Sequence, residues 1–267
     1  MAEQAEESDP DKAFSDRAEA AFRDLFERAK AAHELHFAMA LMPEMRGMQD
    51  AGWNTAQENV KAYDQFLELV EELDSKRPVR VRVALSLYLY VTEASGLYEV
   101  PEKLMLTVKG NNMMPFKDIV NKHPTSGAVI APNANKVMKD LIGQATEVGL
   151  HELADVLDKA VDADIRNGAA HADYILWNDG VRLPRKNGGQ TRVIGWDQFH
   201  ILLNRAIGLF HIVRQLVGEY QHSYTTPKTI RASLNNEPET DWTIYSVRGS
   251  GFGFTSGKPP TAPEGYL

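Results

Sequence analysis

Between residues 14 and 42 the apolar positions recur every three or four residues: Phe14, Ala18, Ala21, Phe22, Leu25, Phe26, Ala29, Ala32, Leu35 and Met39. That spacing lines one face of an α-helix, which should end near Pro43. A second helix is expected from a cap at Asn54 to about Asp74, with Val60, Tyr63, Phe66, Leu67 and Val70 facing inward. Val79, Val81, Val83, Leu85, Leu87, Leu89 and Val91 then alternate with their neighbours, which is a strand pattern. The run is long for a strand, however, no partner of similar length is in sight, and Pro78 suits a first helical turn. Residues 78–97 are therefore read as a helix buried on most sides.

Prolines and glycines between 98 and 132 predict a loop-rich connection with one short helix near 116–121. Helical pattern resumes at Asn133, breaks at Gly149, and continues through Leu153, Val156, Leu157 and Val161 into residues 164–174. Two apolar segments, 175–182 and 190–195, flank Pro184-Arg185-Lys186-Asn187-Gly188-Gly189, a strong hairpin signal. Asp197 is the expected cap of a last long helix, about 198–222, whose stripe runs Phe199, Leu203, Ala206, Phe210, Val213, Val217, Tyr220. A short hairpin, 229–234 with 242–247, and a Gly/Pro-rich tail complete the chain. The expected fold class is mainly all-α: a bundle of about five to six helices with a β-hairpin insert near 175–195. The expected divisions are a disordered acidic lead-in over 1–12, a helical domain over 13–223, and a C-terminal extension over 224–267.

Composition narrows the chemistry. The 267 residues include no cysteine, which excludes disulfides, thiolate zinc sites and a cysteine nucleophile and suits a cytoplasmic protein. Residues 1–11 lack the basic-then-apolar layout of a signal peptide, and no uncharged apolar run approaches a membrane span, so no membrane association is expected. A formal net charge of −8 counts against a protein that coats nucleic acid generally, so a nuclease would need a local positive patch.

One arrangement of polar side chains is not asked for by packing: Asp164-Ile165-Arg166-Asn167-Gly168-Ala169-Ala170-His171-Ala172-Asp173-Tyr174. On a helix Asn167 and His171 share a face, while Arg166 lies about 140° round from His171. One copy does not aim all three groups at one point, whereas two copies across a two-fold axis can. Gly168, Ala169 and Ala170 expose little side chain and suggest that another surface approaches closely. The stretch resembles the RxxxxH signature of the HEPN superfamily, helical-bundle domains of prokaryotic toxins, phage-defence proteins and RNA-processing factors.

The resemblance implies a metal-independent endoribonuclease, without cofactor, whose two motif copies face each other in a homodimer and leave 2′,3′-cyclic phosphate ends. Arg166, Asn167 and His171 are then the catalytic candidates. An imidazole can act as base or acid near neutral pH, a guanidinium stabilises developing oxyanion charge, and the Asn167 amide orients His171 or the phosphate. In toxin–antitoxin members a tyrosine just past the histidine is nucleotidylated by a partner nucleotidyltransferase. Tyr174 stands near that place, but Ala172 and Asp173 intervene where one residue is usual, and a packing role for it is the alternative. An antitoxin partner is implied on the same ground.

Arg182, Arg185, Lys186 and Arg192, against Asp179, make the hairpin a candidate RNA-binding patch or a merely solvated turn. Asp162, Asp164 and Asp173 are read as solvated rather than metal-binding. His200, His211 and His222 recur every eleven residues and should form an exposed polar stripe. The rival reading is a HEPN-like dimer without nuclease activity, serving as a binding or regulatory module.

Overall fold

In chain order the helices are α1 (Pro10–Ala32), α2 (Glu34–Ala40), α3 (Thr55–Glu72), α4 (Pro78–Glu93), α5 (Ser95–Val108), α6 (Ala134–Glu147), α7 (His151–Ala160), α8 (Ala163–Ala170) and α9 (Trp196–His222). The strands are β1 (Asn121–Lys122), β2 (Val129–Ile130), β3 (Ile175–Trp177), β4 (Gly180–Leu183), β5 (Arg192–Gly195), β6 (Lys228–Ala232), β7 (Thr240–Val247) and β8 (Gly251–Thr255). The structure is a computed structural model. It describes residues 10–42, 55–74, 78–93, 95–110, 121–122, 125–127, 129–130, 134–184, 190–234, 237–247 and 251–261. The molecule is mostly helical, with small antiparallel sheets ordered β1-β2, β3-β4-β5 and β6-β7-β8.

α9 is the column of the bundle. It packs against α1, α4, α5 and α7 on its helical side, and against β4, β5 and β7 at its ends. The expected stripe is what it buries: Phe199, Leu203, Ala206, Phe210, Val213 and Tyr220, joined by Leu209, Ile212 and Leu216. By length and composition α9 is apolar enough to cross a membrane, and these side chains are instead held among the neighbouring helices. His200, His211 and His222 lie on its exposed side, as their spacing suggests.

Several elements depart from the pattern for identifiable reasons. The first helix starts at Pro10, inside the expected lead-in, and breaks at His33, whose extended backbone (φ −161°, ψ 98°) caps α2 with its own side chain. There the imidazole accepts the His36 N–H at 3.2 Å. Residues 78–93 are helical, as the proline and the missing strand partner argued, but a separate helix, α5, begins at Ser95. α5 runs through Pro101, where a loop was expected, because Tyr98, Leu104, Met105 and Thr107 are buried against α1, α2 and α6. A proline inside a helix costs about 3 kcal/mol, which burial of several side chains offsets.

Asn121, expected in a short helix, pairs instead with Ile130; the rest of that helix and the Asn54 cap lie outside the described residues. Asp197 does not cap α9. Gly195 holds the cap position without a side-chain bond, and Asp197 sits in the first turn, where a carboxylate suits the helix dipole. The segment 175–182 folds back at Asn178-Asp179 into β3 and β4, so a three-stranded meander replaces the simple hairpin. The C-terminal hairpin likewise gains a third strand from the glycine-rich tail, with Phe254 beside Ile244 and Phe252 beside Ser246.

Candidate functional site

The motif helix α8 is two turns long and is fixed at both ends. At its start the Asp162 carboxylate accepts the N–H groups of Asp164 and Ile165, both at 3.0 Å. The same carboxylate receives Arg192 of β5 at 2.6 Å, and Asp164 receives it at 2.8 Å. The hydrogen bonds that the Arg192 guanidinium donates to Asp162, and then the one to Asp164, raise it above its ordinary pKa. Behind the cap, the Tyr88 hydroxyl of α4 accepts the Asp162 N–H at 2.6 Å and donates to its carbonyl at 3.3 Å. Burial pushes that phenol above its usual range.

α8 ends at His171. The Asp173 N–H returns to the Gly168 carbonyl at 2.9 Å and the Ala172 N–H to Ala169 at 3.3 Å. This is a Schellman ending, and it places Ala172 at φ +54°, in the left-handed region that favours glycine. α6 ends in the same way: Leu150 returns to Ala145 and Gly149 to Thr146, with glycine at φ +74°. Gly168 is buried on α8. A Cβ there would stand 2.6 Å from a Leu183 methyl of β4 and 3.3 Å from the Asp173 carbonyl. The close approach that the small residue permits is therefore made by β4 of the same chain, not reserved for a second one.

Arg166 turns inward, with its side chain only 13% exposed. Its Nε and Nη2 sides are clasped by Glu93 at the C-terminal end of α4, and its Nη1 donates to Asn167 Oδ1 at 2.9 Å. Asn167 thus orients Arg166, where the sequence pointed to His171 or a phosphate. His171 is exposed at the helix end, and its imidazole makes no hydrogen bond among the described residues. The chain therefore offers a positioned guanidinium and, at the end of the same helix, an accessible imidazole. Tyr174 is half-buried, accepts the Arg82 Nη1 at 3.1 Å, and carries that guanidinium over its ring at 5.6 Å.

The four basic candidates do not form one free patch. Arg192 is the clamp between β5 and α8, its guanidinium held by Asp162, which is mostly buried rather than solvated, and by Asp164, which stays exposed. Arg182 pairs with Asp179 at 3.0 Å and stacks over Trp177 at 5.1 Å. Arg185 and Lys186 lie outside the described residues. Glu93 and Tyr88 are the site residues that pattern reading missed: each comes from α4, more than seventy positions from its partner on or beside α8. Asp162 carried a legible signal, an aspartate just ahead of a helical pattern. Among the described residues no group of three or more His, Asp or Glu side chains is arranged to hold a metal ion.

Comparison with protein-family models, with curated proteins and with solved structures found no match to the chain.

Proposed function

We propose that this chain is a HEPN-like, metal-independent endoribonuclease whose Arg166, Asn167 and His171 form half of a site completed by a second copy. The observation that carries the reading is the pairing of an accessible His171 with an Arg166 already fixed by Glu93 and Asn167 on one short helix. In this scheme one imidazole removes the proton of a ribose 2′-hydroxyl as its oxygen attacks the adjacent phosphorus. The P–O5′ bond breaks, a protonated group supplies the proton to the departing 5′-oxygen, and a 2′,3′-cyclic phosphate remains. Arg166 stabilises the charge that develops on the phosphoryl oxygens. A setting in phage defence or a toxin–antitoxin pair, in the cytoplasm, follows from the resemblance. The hydroxyl of Tyr174 is hydrogen-bonded to Arg82, which favours its packing role over modification.

The second reading, a dimeric module without nuclease activity, is favoured by the ion pair itself: a guanidinium clasped by Glu93 has less charge to offer a phosphate. Labelled RNA incubated with the wild type and with His171→Ala, Arg166→Ala and Asn167→Ala decides between them. Nuclease action predicts losses of about a hundred- to ten-thousand-fold for His171→Ala. Arg166→Ala should be similarly inactive and Asn167→Ala less impaired, with cyclic-phosphate products that survive excess chelator. Chelator-sensitive cleavage, or full activity in His171→Ala, overturns the mechanism. Absence of cleavage by the wild type moves the function to the binding module.

A further inference from the structure

The ribonuclease reading asks for positive charge beside His171 in a chain of formal net charge −8. Most guanidinium groups near the motif are already paired with carboxylates: Arg166 with Glu93, Arg192 with Asp162 and Asp164, and Arg182 with Asp179. Arg82 of α4 differs. It is exposed, and what holds it is a phenol. Its Nη1 donates to the Tyr174 hydroxyl at 3.1 Å, and the guanidinium carbon stands 5.6 Å from the centre of that ring. Among the described residues no carboxylate pairs with it.

The helix α4 sets where this cation stands. Arg82 and Glu93 are 11 positions apart, which at about 100° per residue brings both onto one face. At about 1.5 Å per residue the same spacing sets them about 16 Å apart. Glu93 meets Arg166 in the first turn of α8, and Arg82 meets Tyr174 just beyond its end. The two helices therefore run antiparallel with a polar cross-link at each end. In the chain, the exposed His171 falls between the two cross-links.

We propose that Arg82, steadied by Tyr174, binds an RNA backbone phosphate that flanks the one cleaved. The assignment rests on the ribonuclease reading for its ligand. A guanidinium carries five N–H donors in a fixed fork, and the phenol engages one of them, which leaves a pair to meet two phosphate oxygens. The hydroxyl that accepts from Arg82 keeps its own proton and can donate it to the same phosphate. Separation decides which phosphate is held. One phosphate group does not bridge cross-links about 16 Å apart, so Arg82 takes a neighbour of the phosphate that Arg166 attends. Such a contact fixes the register of the strand and adds affinity without reading its bases.

The test uses a fluorescent single-stranded RNA with every 2′-hydroxyl methylated, which removes the attacking group and separates binding from cleavage. Its affinity is measured across a salt series for the wild type, Arg82→Ala, Arg82→Lys and Tyr174→Phe. Arg82→Ala should bind about tenfold more weakly at low salt. Its plot of log affinity against log salt should also be shallower by about 0.7, the loss of one phosphate contact on a single strand. Arg82→Lys should keep the wild-type slope, because a point charge remains, and bind more weakly for want of the fork. Tyr174→Phe should likewise keep the slope and lose affinity. Wild-type affinity and slope in Arg82→Ala overturn the site even if the protein cleaves RNA, as does a wild type that does not bind the methylated strand. Arg82→Lys with the slope of Arg82→Ala overturns it too, since the charge is then not what binds. A slope that depends on Arg82 in a protein that cleaves no RNA keeps the phosphate site and removes the nuclease.

Discussion

Ala172 and Gly149 occupy the same position in two equivalent helix endings, one with a Cβ at positive φ and one without. The left-handed conformation costs an L-residue about 1–2 kcal/mol, offset in part by the greater freedom of glycine in the unfolded chain. Ala172→Gly should therefore raise stability by about 0.5–1 kcal/mol, read as a higher urea midpoint with an unchanged slope. Gly149→Ala should move it the other way. At this scale the sequence disclosed which groups carry chemistry but not what holds them. Arg166, Asn167 and His171 stand together in the chain and were visible as a set. Glu93 lies 73 positions from Arg166, with nothing in its spacing to mark it, and is brought to the guanidinium only by the packing of α4 against α8.

At the scale of elements, the N-terminus of α8 joins two functions in one carboxylate. Asp162 caps the helix and anchors Arg192, and the two can be separated by substitution. Asparagine caps as well as aspartate but carries no charge for the guanidinium. Asp162→Asn should therefore cost less than Asp162→Ala, for which the lost cap alone accounts for about 1 kcal/mol. Thermal melts of the two variants give the order, and equal losses would mean that the cap contributes nothing beyond the ion pair. Elements with strong periodicity, α1, α3 and α9, were legible along most of their length. α4 was legible only by elimination, because its alternation of valine and leucine imitates a strand. α5 was hidden by Pro101, since local propensity speaks against a helix that tertiary burial of Tyr98, Leu104 and Met105 sustains. The third strand of each sheet was hidden too: Asn178-Asp179 divides what reads as one apolar segment, and β8 lies in a glycine-rich run that reads equally well as tail or strand.

For the molecule as a whole, acid stability should depend on His36, which is 8% exposed in the angle between α1 and α2. Burial, and next the neighbouring His33 ring stacked on it at 3.7 Å, lower its pKa to about 4. An unfolded histidine titrates near about 6.5, so between those values the unfolded chain binds a proton that the folded chain refuses. Stability should be fullest above about pH 6.5 and fall as the pH drops toward 4. His36→Leu should flatten that limb, as urea midpoints at about pH 5 and pH 7 would register; an unaltered slope would assign it to other groups. The small sheet and the bundle meet without an intervening loop. β5 ends at Gly195 and α9 begins at Trp196, whose indole N–H donates to the Asn178 carbonyl in the turn between β3 and β4 at 3.0 Å. Outer strand, turn and central helix thus meet at one junction, Gly195-Trp196. A change that loosens this junction should reach both sides of it: Trp196→Ala should speed amide exchange in the first turns of α9 as well as in β3 and β4.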